Sequence, residues 1–573
     1  MQENEPQNIA FYWSTVFVRT LFEEGVQHVV ISPGSRSTSL TLAFSAHSGF
    51  TKHIGVDERS AAFTALGLAK SSGKPAVLVC TSGTALANYY PAVIEASQSG
   101  VPLIILSADR PPHYRGLGAS QTIDQLKIFG NYPVFFHEVG EPDTNPRSLK
   151  RLQLSAMQAV QQSVDETGVA HLNFPFSKPF EPDPKFLKKT EFENEKHSRK
   201  PFPKYSQQIG EMELGETFWS DLISAEKPLI IVGPTSVSDP LDFITPLART
   251  LEAPVLAEPG SQVPISRHTI QGFDGFLRNT ANWNGLNADL ILRFGQQPVS
   301  KALNEYLDKN SDVMQVSFMN PKQWVDGSLS SHKQIQLKAP LNIPDVTGSA
   351  DKKWLKKWKK TEKDFKAFRE EHLHPSTPIT DGYVFSKVSE TQPKKSFVML
   401  SNSFPVRDMS LFGEFDGKEI YVNRGAAGID GITSTAIGLS IANENPGCLM
   451  IGDIAFIHDT NALLMAKEVK QPLVIVVLNN GGGTIFRMLP IHQMRMKDKY
   501  TTYFETPQNT KIAALCRAHD IDHILVSRPE QIIPTFDKLI EKKGVHVMEC
   551  ITDADESMEQ RHALWNFKIT DSS

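Results

Sequence analysis

The chain has 573 residues, a formal net charge of −5 at pH 7 and four cysteines. Its length exceeds what one hydrophobic core normally supports, so we expect a few domains. The weak negative charge gives no reason to expect a nucleic-acid partner, and no apolar run approaches the ~20 residues that cross a bilayer. The cysteines are scattered without a CxxC pair, which indicates buried thiols in a reducing compartment. Because the start lacks the features of a signal peptide, we expect a soluble, cytoplasmic protein.

The first block, residues 1–185, alternates apolar strands with helices. The strand signals are "HVVISPG" (28–34), "PAVLVCTSG" (75–83) and "PLIILSADRP" (102–111), each of which breaks into Gly, Ser or Pro. The predicted helices "AAFTALGLAKSSG" (61–73) and "ALANYYPAVIEASQSG" (85–100) end at glycine, a common helix stop. This alternation predicts a doubly wound α/β domain.

A charged, proline-containing stretch at 181–206 predicts an exposed linker to a second block. That block, 206–345, is predicted to be a smaller α/β domain from the strands "KPLIIVGP" (227–234), "APVLAEP" (253–259), "ADLILRFG" (288–295) and "DVMQVSF" (312–318). The lysine-rich helical segment that follows it, 351–372, is typical of a solvated face.

The third block, 375–573, again alternates strands with helices. Its strand signals are "SFVMLSNS" (396–403), "EIYVNRG" (419–425), "CLMIGD" (448–453), "PLVIVVLNN" (472–480) and "HVMECIT" (546–552). Two large α/β blocks on either side of a smaller one suggest an internal duplication. The predicted fold class is therefore α/β, with three doubly wound domains.

Polar residues close two neighbouring strands of the third block. Gly452-Asp453 ends one strand, Asn479-Asn480 and three glycines end the next, and "DTNALLMAKEV" (459–469) between them has helical spacing. The second strand is entirely apolar, as in a parallel sheet covered on both faces. Because ligands of such sheets bind at the carboxyl ends of the strands, Asp453 and Asn480 can converge on one ligand.

The same residues form a candidate metal and diphosphate site. Mg²⁺ takes oxygen ligands and tends to keep waters and phosphate oxygens, and Asp453, Asn480 and the carbonyl of Gly482 supply such a set. Glycines 481–483 let the backbone approach phosphates closely. The alternative is that Asp453 caps a helix and Asn-Gly makes a turn. The two signals together are stronger than either alone, since the fold explains their spacing.

This signature resembles that of the thiamine-diphosphate-dependent enzymes, which carry Gly-Asp-X, about two dozen residues, and then Asn-Asn. Here the 24 residues 455–478 separate the two halves. The three blocks also resemble that family's pyrimidine-binding, central and diphosphate-binding domains, here 1–185, 206–345 and 375–573. The resemblance implies thiamine diphosphate as the cofactor, with Mg²⁺ or Mn²⁺.

The resemblance also implies a catalytic glutamate, which donates a proton to N1′ of the aminopyrimidine. Glu58 precedes a predicted helix in "GVDERSAAFTALGLAK" (55–70), and a raised pKa would suit that role. The alternative is an acid that interacts with the helix macrodipole. The further residues assigned to the cofactor are Ser82 and Gly83, and the apolar walls Ile429, Ile485, Phe486 and Leu489, for which core packing is an alternative.

Six stretches narrow the resemblance to one group. They are "SPGSRSTSLTLA" (32–43), "TSGTALANYYPAVIEA" (81–96), "SADRPP" (107–112), "ASQTIDQ" (119–125), "SNSFPVRD" (401–408) and "NRGAAGIDGITSTAIG" (423–438). Together they resemble the 2-succinyl-5-enolpyruvyl-6-hydroxy-3-cyclohexene-1-carboxylate synthases of menaquinone biosynthesis. The implied transferase reaction decarboxylates 2-oxoglutarate and adds a succinyl-semialdehyde carbanion equivalent to isochorismate by 1,4-addition.

Both implied substrates are dianions, and the planar fork of arginine matches a carboxylate. By resemblance, isochorismate is bound by Ser35, Arg36, Arg110, Gln121 and Lys301. Ser403 and Arg407 receive the distal carboxylate of the oxo acid, and Arg424 serves either substrate. For any single arginine the alternative is a surface ion pair.

The superfamily places its cofactor between the N-terminal block of one chain and the C-terminal block of another. The resemblance therefore implies a homodimer or a dimer of dimers, while the charge and the lack of a long apolar run give no reason to expect a nucleic-acid or membrane partner. Three other functions remain as alternatives. Another thiamine enzyme, such as an acetolactate synthase or oxo-acid decarboxylase, needs fewer arginines, and a non-catalytic relative need not keep Glu58, Asp453 and Asn480. A Rossmann dehydrogenase would need a GxGxxG that is absent here.

Overall fold

The computed structural model describes residues 8–182, 211–236, 239, 241–320, 324–414, 416–494 and 497–569. All but the first two residues of the predicted linker, 181–206, lie outside these ranges. The chain divides into two compact units, Met1–Ile209 with Ser434–Ala442 and Gly210–Thr433 with Asn443–Ser573. Within the described ranges, no helix is both long enough and apolar enough to cross a membrane.

The first sheet contains six parallel strands in the order β2-β1-β3-β4-β6-β5. The strands are β1 His28–Ile31, β2 Thr51–Ile54, β3 Ala76–Cys80, β4 Leu103–Asp109, β5 Pro133–Glu138 and β6 Val169–Pro175. The helices are Ile9–Glu23, Thr38–Ala46, Glu58–Ser72, Thr84–Asn88, Tyr90–Ser99 and Pro146–Asp165, with the 3₁₀ helix Pro112–Tyr114. The predicted single helix at 85–100 is two helices, because Pro91 lacks the N–H that would continue the first.

The second sheet is also parallel and has the order β12-β11-β10-β7-β8-β9. Its strands are β7 Pro228–Val232, β8 Val255–Ala257, β9 Thr269–Ile270, β10 Leu290–Phe294, β11 Met314–Met319 and β12 Lys333–Gln336. The helices are Glu216–Ile223, Ile244–Leu251, Phe273–Leu277 and Lys301–Lys309, with the 3₁₀ helix Thr280–Gly285. This strand order is that of dinucleotide-binding folds, but a fold alone does not fix a ligand.

The third sheet has the order β14-β13-β15-β16-β18-β17. Its strands are β13 Ser396–Leu400, β14 Lys418–Val422, β15 Gly447–Gly452, β16 Pro472–Asn479, β17 Asp522–Val526 and β18 Gly544–Ile551. The α-helices are Asp381–Thr391, Phe404–Phe412, Ile432–Ala442, Asp453–His458, Pro490–Gln493, Lys497–Tyr500, Ile512–Ala518, Ile532–Ile540 and Ala554–Trp565. The other helical segments are the 3₁₀ helices Thr460–Glu468, Thr484–Met488 and Pro529–Gln531, and the π-helix Thr501–Glu505.

The first and third sheets share one topology. When strands are numbered within each sheet, both have the order 2-1-3-4-6-5. A repeated order of six strands supports the predicted duplication, and the three parallel sheets confirm the predicted α/β fold class. The domain boundaries 1–185, 206–345 and 375–573 stay a prediction.

Helix Trp354–His372 contains the lysine-rich segment. Its lysine face is exposed as predicted, but the opposite face is not: Trp358 and Phe365 are buried in the core that the second and third sheets share. The predicted helix at 459–469 also differs, since this stretch is a 3₁₀ helix, Thr460–Glu468, after the short α-helix Asp453–His458.

Candidate cofactor and substrate site

Asp453 lies at the carboxyl end of β15 and begins helix Asp453–His458. It is only 5% exposed, and its carboxylate accepts hydrogen bonds from the backbone N–H groups of Ile454 and Gly482. Burial raises the pKa of Asp453 to about 6, and the neighbouring Asp381 carboxylate adds to the rise. Two carboxylates in a buried place favour either a proton or a bound cation.

Asn480 and the glycines follow β16, the neighbour of β15. Gly452 pairs with Leu478 across these strands, so Asp453 and Asn480 leave the sheet at the same edge. Gly482 has φ of +138°, and a Cβ there would lie 2.5 Å from the carbonyl oxygen of Glu505. A side chain would therefore not fit, and the close approach of Glu505 requires glycine here.

The oxygen atoms at this edge fit a hard divalent cation. The Asp453 carboxylate, the Asn480 amide oxygen and the Gly482 carbonyl are oxygen donors. The Gly482 carbonyl accepts the Thr484 N–H at 2.9 Å, and its second lone pair remains for a cation. Among the described residues no three His, Cys, Asp or Glu side chains form a metal-binding group, so a cation here would depend on the amide and carbonyl oxygens.

Asp381 supports this edge, and the sequence analysis missed it. Its carboxylate accepts hydrogen bonds from Asn480 Nδ2 at 3.2 Å, Thr552 Oγ1 at 2.6 Å and Arg561 Nη2 at 2.9 Å. Arg561 also binds Asp408, and all three charged side chains are buried. The local sequence shows only a helix start, since Thr380 caps helix Asp381–Thr391.

Of the predicted apolar walls, Ile485, Phe486 and Leu489 lie in or directly after the 3₁₀ helix Thr484–Met488, and Ile429 lies in the loop before helix Ile432–Ala442. Phe486 is 38% exposed and Leu489 is 42% exposed, while Ile485 and Ile429 are half-buried. Core packing within the chain therefore does not account for Phe486 and Leu489.

Two predicted arginines lie close together in the second compact unit. Arg407 Nη1 donates to the Ser403 carbonyl at 2.5 Å, and Arg424 Nη1 donates to Asn402 Oδ1 at 2.8 Å. Burial lowers the pKa of Arg407, and the charge of Arg424 lowers it further. Ser403 has φ of +74°, a strained backbone for a residue other than glycine. Two close guanidinium groups in a largely buried place favour an anionic ligand.

Lys301 begins helix Lys301–Lys309 and is 68% exposed beside Glu305. Two buried carboxylates hold the start of this helix. Glu258 accepts the backbone N–H groups of Val299 and Ser300 at 2.6 and 2.7 Å, and Asp274 accepts the hydroxyl of Ser300. Burial raises the pKa of Glu258 to about 7.

These two acids also connect the start of the lysine helix to the arginines. Glu258 interacts electrostatically with Arg424, and Asp274 does so with Arg407. The structure thus brings Arg407 and Arg424 near the start of helix Lys301–Lys309 through Glu258 and Asp274, while the Lys301 side chain is exposed beside Glu305. The sequence analysis did not identify these two acids.

Glu58 belongs to the first compact unit. It follows β2 and is the first residue of helix Glu58–Ser72, which Asp57 caps through the N–H groups of Arg59 and Ser60. Glu58 is half-buried in the chain. Asp453 and Asn480 belong to the other unit.

The remaining predicted residues of the first unit lie at the carboxyl edge of its sheet. Ser35 and Arg36 follow β1, Ser82 and Gly83 follow β3, and Arg110 follows β4. Gln121 Nε2 donates to the Ser82 carbonyl at 3.4 Å, and Arg110 Nη2 donates to the carbonyl of Ser120 at 2.7 Å. The loops after β3 and β4 therefore meet at Gln121.

Gln125 fixes the turn at Gly83 and is another residue that the sequence analysis missed. Its Oε1 accepts the Gly83 N–H at 2.9 Å, and its Nε2 donates to Asn173 at 3.0 Å. Gly83 has φ of +88°, which suits glycine. Gln125 lies within the quoted stretch 119–125, but nothing local distinguishes it from Gln121 as a supporting residue.

Arg36 is buried, whereas an arginine in a surface ion pair would be exposed. It is 6% exposed, its Nη1 donates to the Phe176 carbonyl at 2.6 Å, and its guanidinium lies 4.5 Å from the Phe180 ring centroid. Neither contact neutralises its charge.

Family models match all three parts of the chain. Residues 13–128 match the model described as "Thiamine pyrophosphate enzyme, N-terminal TPP binding domain", 190–399 match "Middle domain of thiamine pyrophosphate", and 413–550 match "Thiamine pyrophosphate enzyme, C-terminal TPP binding domain". The matches run in the order that the sequence analysis predicted.

Curated relatives match the chain over nearly its whole length. The 2-succinyl-5-enolpyruvyl-6-hydroxy-3-cyclohexene-1-carboxylate synthase of Geobacillus kaustophilus is 36% identical over 567 residues, 97% of each chain. The synthase of the same name from Microcystis aeruginosa is 37% identical over 534 residues, 91% of this chain and 92% of the relative.

A solved structure supports the fold alone. The crystal structure of benzoylformate decarboxylase from Polynucleobacter necessarius covers 94% of this chain and 98% of its own, with a TM-score of 0.67 and 16% identity. Three matching domain models and full-length relatives above 30% identity together show that the chain belongs to the thiamine pyrophosphate enzymes, within the 2-succinyl-5-enolpyruvyl-6-hydroxy-3-cyclohexene-1-carboxylate synthase family.

Proposed function

We propose that this chain decarboxylates 2-oxoglutarate and adds the remaining four-carbon unit to isochorismate by 1,4-addition. The products are 2-succinyl-5-enolpyruvyl-6-hydroxy-3-cyclohexene-1-carboxylate and CO₂, in menaquinone biosynthesis. The names of the relatives support this assignment. The observation that carries it is the pair Arg407 and Arg424 beside the start of helix Lys301–Lys309, since both substrates are dianions. A cytoplasmic location stays a prediction.

The cofactor is thiamine diphosphate, and we propose Mg²⁺ or Mn²⁺ as the ion that holds its diphosphate. Asp453, Asn480 and the Gly482 carbonyl would bind the ion, and glycines 481–483 would lie along the phosphates. Thiamine diphosphate supplies the carbanion stabilisation that cleavage beside a keto carbon needs. Ile429, Ile485, Phe486 and Leu489 would exclude water around the thiazolium, and Ser82 and Gly83 would contact the cofactor from the first block.

The cations of the site would orient the two substrates. Ser403 and Arg407 would hold the distal carboxylate of 2-oxoglutarate, and Arg424 lies near enough to Arg407 to serve either substrate. We assign Ser35, Arg36, Arg110, Gln121 and Lys301 to isochorismate. Arg36 suits this role because its contacts with Phe176 and Phe180 fix its position and leave its charge available.

Glu58 would hold and return the proton at N1′ of the aminopyrimidine. We propose that it does so for a cofactor bound by another chain, in a homodimer or dimer of dimers. Exposed apolar side chains support an interface: Ile54 and Val56, beside Glu58, are 48% and 68% exposed, and Phe486 and Leu489 are exposed in the other unit.

The test of the reaction is an assay of the purified protein with isochorismate, 2-oxoglutarate, thiamine diphosphate and Mg²⁺. We expect CO₂ release coupled to loss of isochorismate, with a product mass equal to the sum of the substrates less CO₂. Rapid turnover of pyruvate or benzoylformate without isochorismate would instead identify a different thiamine enzyme.

A complementation experiment tests the shared site. Glu58→Gln and Asp453→Ala chains are co-expressed with different tags, and the mixed dimer is isolated. If each site uses Glu58 of one chain and Asp453 of the other, one of the two sites in the mixed dimer is intact, and about half of the wild-type activity returns. If each site lies within one chain, the mixed dimer stays inactive.

A further inference from the structure

A cleft of about 490 Å³ lies between helix Trp354–His372 and the segment around β9. Its volume falls in the range of small-molecule sites. The charged residues that line it are Lys359, Lys363, Lys366, Arg369, Glu362 and Glu414. None of them belongs to the cofactor or substrate site described above.

The cleft is positively charged, and its acids hold the cations in place. Four cations against two carboxylates leave a formal charge of +2. Glu362 accepts Lys359 Nζ at 2.5 Å, and Glu414 accepts Lys366 Nζ at 2.5 Å and lies 3.5 Å from Arg369 Nη2. The carboxylates therefore hold the cationic side chains in position but do not cancel the positive charge of the cleft. That charge attracts an anion.

Two residues that line the cleft carry buried N–H donors without acceptors among the described residues. Arg369 is only 8% exposed, and its Nε finds no hydrogen-bond partner within the described part of the chain. The Nε2 of Gln271, which also lines the cleft, is likewise buried without a partner there. Buried donors are normally paired, and leaving one unpaired costs free energy. Their presence in one positive cleft points to a ligand with several acceptor oxygens.

We propose that this cleft binds a phosphate group, carried by free phosphate or by a small phosphate ester. The cleft offers more hydrogen-bond donors than the two oxygens of a single carboxylate could accept. These donors are Arg369 Nε, Gln271 Nε2 and the nearby ammonium groups. A phosphate monoester presents three terminal oxygens and up to two charges, and charge-assisted hydrogen bonds from arginine and lysine are strong. The inference concerns a separate site and does not depend on the proposed reaction.

The experiment is calorimetric titration of the holoenzyme, saturated with thiamine diphosphate and Mg²⁺, at low ionic strength. Inorganic phosphate and glycerol 3-phosphate are titrated separately, and we expect one site per chain. Tighter binding of the ester assigns the cleft to an organic phosphate, and equal binding assigns it to the free anion.

Three variants locate the binding. Arg369→Lys keeps the charge but removes the Nε donor, and we expect at least about tenfold weaker binding. Lys363→Gln changes an exposed residue of the cleft and should weaken binding severalfold without affecting folding. Lys356→Gln is the matched control, because Lys356 is exposed on the same helix outside the cleft.

The proposal is overturned if phosphate shows no saturable binding, or if Lys356→Gln and Lys363→Gln weaken it equally. It is also overturned if Arg407→Ala abolishes phosphate binding, because the anion would then occupy the substrate site. A folded Lys363→Gln protein, checked by its Tm, keeps the test valid even if Arg369→Lys is unstable.

Discussion

Asn480 donates a hydrogen bond from its side-chain amide to Asp381 at 3.2 Å, across 99 residues of chain. The bond engages Nδ2 and so leaves Oδ1 as the atom that can bind a cation. Asp381 in turn is fixed by Thr552 and Arg561. The orientation of a proposed metal ligand therefore depends on a buried carboxylate that does not itself need to touch the metal.

The first prediction concerns Asp381→Asn, which keeps the shape but removes the charge. We expect about 10- to 100-fold weaker Mg²⁺-dependent binding of thiamine diphosphate, as for other groups that orient metal ligands. Asp408→Asn is the matched control, because Asp408 also pairs with Arg561 but has no contact with Asn480 in the structure. The measurement is calorimetric titration of both variants with thiamine diphosphate and Mg²⁺. Equal cofactor affinities of the two variants would show that Asp381 only balances the charge of Arg561.

The second prediction is that Asp453→Ala no longer retains the cofactor. Asp453 is the only charged protein ligand in the proposed set, and Mg²⁺ depends on that charge in a site otherwise made of neutral oxygens. The measurement is titration of the variant with thiamine diphosphate and Mg²⁺. Wild-type affinity would remove Asp453 from the site.

The sequence predicts the sheets best where strands are apolar on both faces. β3, β7 and β16 are apolar runs with buried interiors, and the sequence analysis identified them. The edge strands β5, β12 and β17 are partly exposed, and charged or polar residues leave their apolar runs too short to identify, so they were missed.

β6 was missed for a different reason, although it is buried throughout. His171 and Asn173 interrupt its apolar run, and both contact Ser107 on the neighbouring strand β4. Polar residues that hydrogen-bond to each other across a sheet make the sequence of a single strand resemble that of a loop. Local periodicity cannot reveal their partners, which lie more than sixty residues away.

The same limit applies to the candidate site. Asp453 and Asn480 close consecutive, adjacent strands, so their convergence follows from the order of elements. Asp381 reaches them from another helix, and Glu258 reaches the start of helix Lys301–Lys309 from beyond β8. Such contacts arise only from tertiary packing, which no local pattern encodes.

The third prediction concerns Glu58→Gln. The amide keeps the shape of the side chain, so the variant should fold and bind the cofactor. It cannot give or take the N1′ proton, so exchange of the cofactor's C2 proton for deuterium should slow by ~10²-fold or more. The rate is measured by NMR after quenching. Wild-type exchange in the variant would exclude Glu58 from this role.

The fourth prediction is a pH dependence of stability from Glu258, whose pKa burial raises to about 7 from its ordinary 4.5. A carboxyl with a raised folded-state pKa contributes stability below the unfolded pKa and loses it as pH rises through the folded pKa. The loss therefore falls between about pH 4.5 and 7 and amounts to about 3 kcal/mol. Asp274 adds to the rise, while the N–H groups of Val299 and Ser300 and the charge of Arg424 oppose it.

Glu258→Gln removes that titration, so its Tm relative to wild type should rise as pH increases from 5 to 7.5. The amide nitrogen of glutamine cannot accept a backbone N–H, so one of the two hydrogen bonds from Val299 and Ser300 is lost. That loss shifts the Tm difference between the two proteins by a constant amount and does not change how the difference varies with pH. Thermal unfolding of both proteins across this range is the measurement. Parallel curves would show that Glu258 is ionised in both states throughout the range.

The last prediction separates this chain from other thiamine enzymes through Arg407. Its guanidinium is held by the Ser403 carbonyl at 2.5 Å, and Ser403 has a strained backbone at the start of helix Phe404–Phe412. Burial and the charge of Arg424 both lower the pKa of Arg407, so its cationic form lacks full compensation in the chain. A substrate carboxylate would supply that compensation.

Arg407→Ala would leave the distal carboxylate of 2-oxoglutarate without its charged partner in a partly dry site. Losing such a partner costs ~2–5 kcal/mol, a roughly thirtyfold to several-thousandfold loss in kcat/KM for the oxo acid. Pyruvate lacks that carboxylate, so any slow reaction with pyruvate should be nearly unchanged, and so should cofactor affinity. The decisive measurement is kcat/KM for both oxo acids in both proteins. Equal losses for the two would show that Arg407 does not recognise the distal carboxylate, and the substrate assignment would lose its main physical support.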